Sequence, residues 1–231
     1  MKYLIVNGDD FGAGQGINRG ILEAHRRGIL TSTSLMVDMP ASQEAVAQAR
    51  DCPGLNIGLH TRLTDEREQP VVDLDDPGRC RAELDRQFAR FRELTGGPPT
   101  HLDSHHNIHR DPRVLPLFLD LGREHGVPLR GHSPARYFSN FYGQWNGESH
   151  LEWIGVENLL RMLEAEVRHG VTELSCHPGY VDADFPTLYA AEREAELRTL
   201  CDPAVRRALD ERDIRLVGFR DLGRLPAGPP D

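Results

Sequence analysis

Lys2-Tyr3-Leu4-Ile5-Val6-Asn7-Gly8-Asp9-Asp10-Phe11-Gly12 opens the chain with an apolar run, an acidic pair and a glycine, in that order. Residues 3–6 suit a buried strand, and a helical pattern at 17–27 follows and stops at Gly28. The same alternation continues down the chain without any internal sequence repeat. Strands are expected at 31–37, 56–60, 100–105, 128–131, 172–177 and 214–218, and helices at 42–50, 79–94, 113–125, 156–169 and 188–200. Ala, Leu, Glu and Arg dominate the helical stretches, and Gly28, Gly96, Gly126 and Gly170 fall where helices should stop. Strands separated by helices imply parallel pairing through right-handed crossovers. Seven such strands make either an open doubly wound sheet or a (β/α) barrel, and periodicity does not separate the two.

Composition narrows the class. The chain has 231 residues, 39% hydrophobic and 27% charged, which suits one large α/β domain. A net charge of −9 without a basic patch argues against nucleic acid as a partner. The N-terminal apolar run is too short for a signal peptide, and no stretch approaches a membrane span. Cys52, Cys80, Cys176 and Cys201 form no CxxC pair, the usage of a reducing compartment, so a cytoplasmic protein is expected. The tail at 225–231 reads as loose, leaving 1–224 as a single domain. Residues 132–155 show no clear element, yet they hold Tyr137, Phe138, Phe141, Tyr142, Trp145 and Trp153, six of the chain's fifteen aromatics. That segment is either packed on the domain, with room for a homodimer, or a wall for substrate.

The chemistry-bearing residues share one positional logic. Asp9 and Asp10 follow the first strand, and His60, His105 and His177 end later ones. In parallel α/β folds the carboxyl ends of strands meet on one face, so these residues converge. Taken singly they are weaker signals: Asp9-Asp10 can cap a helix, and a lone His60 can be structural. His101-Leu102-Asp103-Ser104-His105-His106-Asn107-Ile108-His109 is harder to explain without a ligand. Alternation places His101, Asp103 and His105 on one face, with Asp103 available to orient His105 and with His106 and His109 as reserve ligands or substrate contacts. One carboxylate and two imidazoles leave open positions on one divalent cation. Zn²⁺ suits the nitrogen-rich set, with Mg²⁺, Mn²⁺, Co²⁺ and Ni²⁺ as alternatives. Of two adjacent aspartates, one would bind metal and the other act as base. Gly12-Ala13-Gly14-Gln15-Gly16 has the wrong spacing for a dinucleotide fingerprint.

Four motifs in order, Asn7 to Gly12, Gly58-Leu59-His60, Thr100 to His106 and Cys176-His177-Pro178-Gly179-Tyr180-Val181-Asp182, resemble the YdjC-like carbohydrate deacetylases. The chitooligosaccharide deacetylase branch is especially similar. The likeness extends to about Leu200 and includes Thr31 to Ser34 and Arg193-Glu194-Ala195-Glu196-Leu197. It implies an irregular TIM-like barrel and a divalent metal held by Asp10, His60 and His105, with Asp9 as catalytic base and His177 as general acid. Gly8 replaces a usual Ala and Asn107 a common third histidine. The expected substrate is a small N-acetylated saccharide, with Arg130, Tyr142, Trp145 and His109 as candidate contacts. Rival readings are another metal-dependent barrel hydrolase, such as a phosphoesterase, or a sugar-binding protein without turnover.

Overall fold

The run 2–12 forms β1 (Lys2–Phe11), the central strand of the molecule, in a computed structural model that describes residues 1–181 and 187–225. Asp182 and the tail at 226–231 lie outside the described residues. After β1 come α1 (Gln15–Arg27), β2 (Ser32–Leu35), α2 (Ser42–Ala49), β3 (Asn56–Thr61), α3 (Pro77–Thr95), β4 (Leu102–Ser104) and α4 (Leu115–His125). The second half contributes β5 (Ala135–Phe138), the short strands β6 (Gln144–Trp145) and β7 (Glu148–Ser149), α5 (Val156–Glu166), β8 (Gly170–Cys176), α6 (Ala191–Leu200), α7 (Pro203–Glu211) and β9 (Ile214–Leu216). Among the described residues no helix is long and apolar enough to cross a membrane.

Every ladder of the main sheet is parallel, in the order β4-β3-β2-β1-β8-β5. This is the irregular, TIM-like barrel architecture expected for the chain. β8 covers one edge of β1 from Lys2 to Gly8, while the other edge is shared, with β9 along Lys2–Leu4 and β2 along Asn7–Phe11. Leu4 and Val6 point outward into the large apolar cluster shared with Ile17 and Ile21 of α1. Tyr3 and Ile5 point inward and pack with Ala135, Val171 and Phe219, closing the bottom of the curled sheet.

The sheet departs from expectation at one strand. Residues 128–131 make a single parallel bridge, Leu102 to Leu129, and the strand that pairs with β8 is β5, seven residues later. Pro128 has no N–H to extend a ladder, whereas Arg136-Tyr137-Phe138 is a β-favouring run. The segment 132–155 therefore holds β5, the β6–β7 hairpin and a short 3₁₀ turn, Leu151–Ile154. Helix α7 was not expected; its signal is Asp202 capping the N–H of Ala204 with Pro203 at the first position. Gly170 opens β8 at φ +95° and does not end α5, which stops at Glu166.

Candidate active site

Asp9 and Asp10 are neighbours in sequence, so a regular strand would send their side chains to opposite faces. A bulge prevents that: between Gly8↔Thr33 and Phe11↔Leu35, β1 advances three residues while β2 advances two. Asp10 takes the left-handed conformation, φ +70°. Both carboxylates thereby line the same cavity, about 850 Å³, at the carboxyl ends of the strands. Neither caps a helix, since α1 begins from Gly14 without a side-chain cap.

His60 and His105 meet Asp10 there. His60 Nε2 lies 3.3 Å and His105 Nδ1 3.1 Å from Asp10 Oδ1, and one ligand atom from each of the three residues falls within a 4.8 Å cluster. Asp10 Oδ2 accepts a 2.6 Å bond from Arg193, so its two oxygens are divided between imidazoles and guanidinium. Asp103 turns to His60 and not to His105: its Oδ1 lies 2.7 Å from His60 Nδ1. The correction follows from register, since β4 pairs Asp103 directly with His60 across the ladder. Burial alone would lower the His60 pKa, but Asp103 and Asp10 outweigh it and hold it at about 10. Burial opposes charge on His105 as well, and its bond to Asp10 and the Glu66 carboxylate nearby raise it to about 9.

Beneath the cluster Arg130 is fully buried among three carboxylates. Its guanidinium reaches Asp9 Oδ2 at 2.7 Å, Asp103 Oδ2 at 2.8 Å and Glu173 Oε1 at 2.6 Å. Asn7 donates a further 2.8 Å bond to Asp9 Oδ1. Burial would raise the Asp9 pKa, and Arg130 reverses that and keeps it lowered. Glu173, deeper and more weakly compensated, is pushed up to about 7 by burial. A second group, Asp9, His60 and Asp103, also has metal-ligand spacing. Arg130 already bridges its two carboxylates, so that position holds a cation of the protein's own.

His177 follows β8 and lines the same cavity. Its backbone N–H donates a short bond to Glu196 of α6, which also accepts from the Tyr189 hydroxyl at 2.6 Å. Burial lowers the His177 pKa to about 4 against the pull of Asp9 and Asp10, so the resting imidazole is neutral at pH 7. The segment after β8 is clamped between α1 and α6. A Cβ at Gly20 would come within 2.5 Å of Gly179 Cα, and Gly179 N–H donates to Arg193 O at 3.2 Å.

Of the four candidate substrate contacts, Tyr142 alone lines the cavity, stacked on Tyr189 with centroids 4.6 Å apart. Arg130 lies below the floor, as described. Trp145 stacks on His150 outside the cavity lining, at 3.7 Å. His109 is buried, its Nδ1 2.7 Å from Ser104 Oγ, facing Phe118. The structure thus brings Asp9, Asp10, His60, His105 and His177 together with Tyr142, and leaves Trp145 and His109 elsewhere. Glu66, Arg193 and Glu196 are the functional neighbours that sequence reasoning missed. The last two sit in the Arg193–Leu197 motif, which had no role attached.

The sequence model of the family described as YdjC-like protein matches residues 3–211. A carbohydrate deacetylase of Geobacillus stearothermophilus is 32% identical, over 97% of this chain and 99% of that one. A chitooligosaccharide deacetylase of Serratia marcescens is 34% identical, over 96% and 99%. A solved structure from Enterococcus faecalis V583, provisionally described as a cellobiose-phosphate cleavage protein, superposes with a TM-score of 0.83 at 29% identity, covering 96% of this chain and 98% of that one. A family 4 carbohydrate esterase from Streptomyces lividans shares the fold, with a TM-score of 0.60 at 14% identity, covering 100% of this chain and 98% of that one.

Proposed function

Because the chain belongs to the YdjC-like family, we propose that it is a metal-dependent hydrolase removing N-acetyl groups from sugars or short oligosaccharides of the chitooligosaccharide type. One observation carries the reading: the three prospective ligands, the second aspartate and His177 line a single cavity. The donor set fits a divalent cation. His60 commits Nδ1 to Asp103 and turns Nε2 inward, and Asp10 offers one oxygen between two imidazoles while Arg193 holds the other. Three protein donors leave coordination positions for water and substrate. Mg²⁺ and Zn²⁺ are the leading ions, with Mn²⁺, Co²⁺ and Ni²⁺ as alternatives.

A bound divalent ion would polarise the acetamido carbonyl and make a nearby water more acidic. Asp9, kept ionised by Arg130 and oriented by Asn7, takes the proton of the attacking water. The departing sugar amine needs a proton, and in this reading His177 gives it. Its resting imidazole is neutral, so it gives a proton only after taking one up from solvent, to which Asp9 in turn releases the proton it took; the negative charges of Asp9 and Asp10 favour the charged form of His177. Tyr142, stacked on Tyr189, offers an aromatic face to the apolar side of a sugar ring.

The deciding experiment is acetate release from N,N′-diacetylchitobiose and other N-acetylated saccharides by metal-stripped protein, with and without each ion. Acetate restored by metal supports the reading. Full release by stripped protein, or no release by protein shown to carry metal, overturns it.

A further inference from the structure

The two prospective histidine ligands are supported differently. His60 has its far nitrogen against Asp103 from the neighbouring strand. His105 points Nδ1 at Asp10, and its Nε2, which makes no hydrogen bond among the described residues, has the Glu66 carboxylate on the loop after β3 at 3.3 Å. An imidazole that ligates through one nitrogen carries its proton on the other, and that N–H needs an acceptor to fix tautomer and ring orientation.

The loop is built to hold such an acceptor. Thr64 and Pro70 form an antiparallel bridge, and Asp65 Oδ1 accepts from the N–H groups of Arg67 and Gln69 at 2.8 and 2.9 Å. Glu68 turns the chain at φ +60° and donates its N–H to Asp65 O at 3.0 Å. Thr64 Oγ1 sits 3.0 Å from His106 Nδ1, tying the loop to the turn that carries His105. The His106 ring packs on His105 with centroids 3.8 Å apart, so His105 is held between a ring and a carboxylate.

We propose that Glu66 is a positioning residue of the cation site: it accepts the Nε2 proton of His105 and so commits that histidine to bind through Nδ1. The inference rests on the metal-hydrolase reading. Its consequence is that cation affinity depends on a loop at the rim of the substrate cavity, which Glu66, Arg67 and Glu68 help to line.

The test is a chelator-competition titration with Zn²⁺ on wild-type protein, Glu66→Ala, Glu66→Gln and Glu93→Ala, beside nitrogen-15 NMR of labelled histidines in the loaded protein. Affinity in Glu66→Ala should fall by about 10- to 100-fold. Glu66→Gln, whose amide oxygen still accepts, should recover much of the loss, and Glu93→Ala, an exposed acid on α3, should match wild type. The spectra should show His105 coordinated through Nδ1 in wild type. Affinity of Glu66→Ala within about twofold of wild type, or coordination of His105 through Nε2, overturns the role of Glu66 and leaves the hydrolase reading standing. Wild-type protein that takes up no divalent ion removes both together. Glu66 is exposed on a loop, and thermal unfolding of each variant confirms that a loss of affinity is not a loss of fold.

Discussion

Arg130 sets the terms for the residues around it. One guanidinium neutralises part of three buried carboxylates, two of which belong to the site: Asp9 lines the cavity and Asp103 holds His60. Replacing it with Leu leaves those acids uncompensated, and the expected loss is about 3–5 kcal/mol. Urea unfolding of Arg130→Leu measures it; a loss under about 1 kcal/mol contradicts the account. The ligands and the proton donor should separate cleanly. Single Ala replacements of Asp10, His60 or His105 are expected to strip the metal along with activity. His177→Ala should keep its metal yet lose about 10²–10⁴-fold in turnover. Metal content and acetate release, measured on the same preparations, distinguish the two classes, and an active His177→Ala protein rules out its proposed role.

At the scale of elements, much was legible because it is local. The apolar run at 3–6, the helix at 17–27 and the glycine stops at Gly96 and Gly126 announce themselves through period and turn chemistry. So does the logic that gathers Asp9, Asp10, His60, His105 and His177 at one end of a parallel sheet. What could not be read depends on register. Asp103 serves His60 because β3 and β4 pair at that step, and Asp10 joins Asp9 because β1 bulges there. The strand at β5 hid inside an aromatic segment whose pairing partner lies more than thirty residues away. The clamp on His177 belongs to this scale too. Gly20→Ala would force α1 away from the 177–181 segment, since the new Cβ meets Gly179 Cα at 2.5 Å. Turnover should fall by about tenfold or more with metal retained, because small displacements of a proton donor are costly. Unchanged kcat in Gly20→Ala would show that the clamp does not position His177.

For the molecule as a whole, the buried titrating groups predict how stability follows pH without metal. His60 and His105 have raised pKa values, about 10 and 9, so their contribution is complete below about 6.5 and is lost as pH rises through those values. Glu196, pushed up to about 8 by burial, adds to the alkaline loss: the folded state gives up a proton that the unfolded chain released near pH 4.5. On the acid side, His101, His109 and His177 are lowered by burial to about 3, 4 and 4 and stay neutral in the folded state. The unfolded chain protonates these three as pH falls below about 6.5, which destabilises the fold; Glu173 and Glu196, protonated when folded, partly offset that. The metal-free protein should therefore have its highest Tm at about pH 6 and lose stability from pH 7 toward 10. A divalent ion in place of the His60 and His105 protons should flatten the alkaline fall. Differential scanning calorimetry across pH 5–10, with and without Zn²⁺, tests both, and a metal-free Tm still climbing at pH 9.5 contradicts the assignment.

The central place of β1 has a further consequence. Its β2 side leads to β3, β4 and the turn after β4, which supply His60, Asp103 and His105; its β8 side leads to His177, Tyr189, Arg193 and Glu196. In the proposed reading, the histidines that would hold the cation and the groups that would meet the sugar thus lie on opposite flanks of one strand. A chimaera that takes the stretch after β5 from a relative of different sugar preference, with Arg193 retained, would inherit the donor's taste in substrate while keeping the recipient's His60, His105 and Arg130, and a lineage could drift from sugar to sugar without rebuilding the ligands.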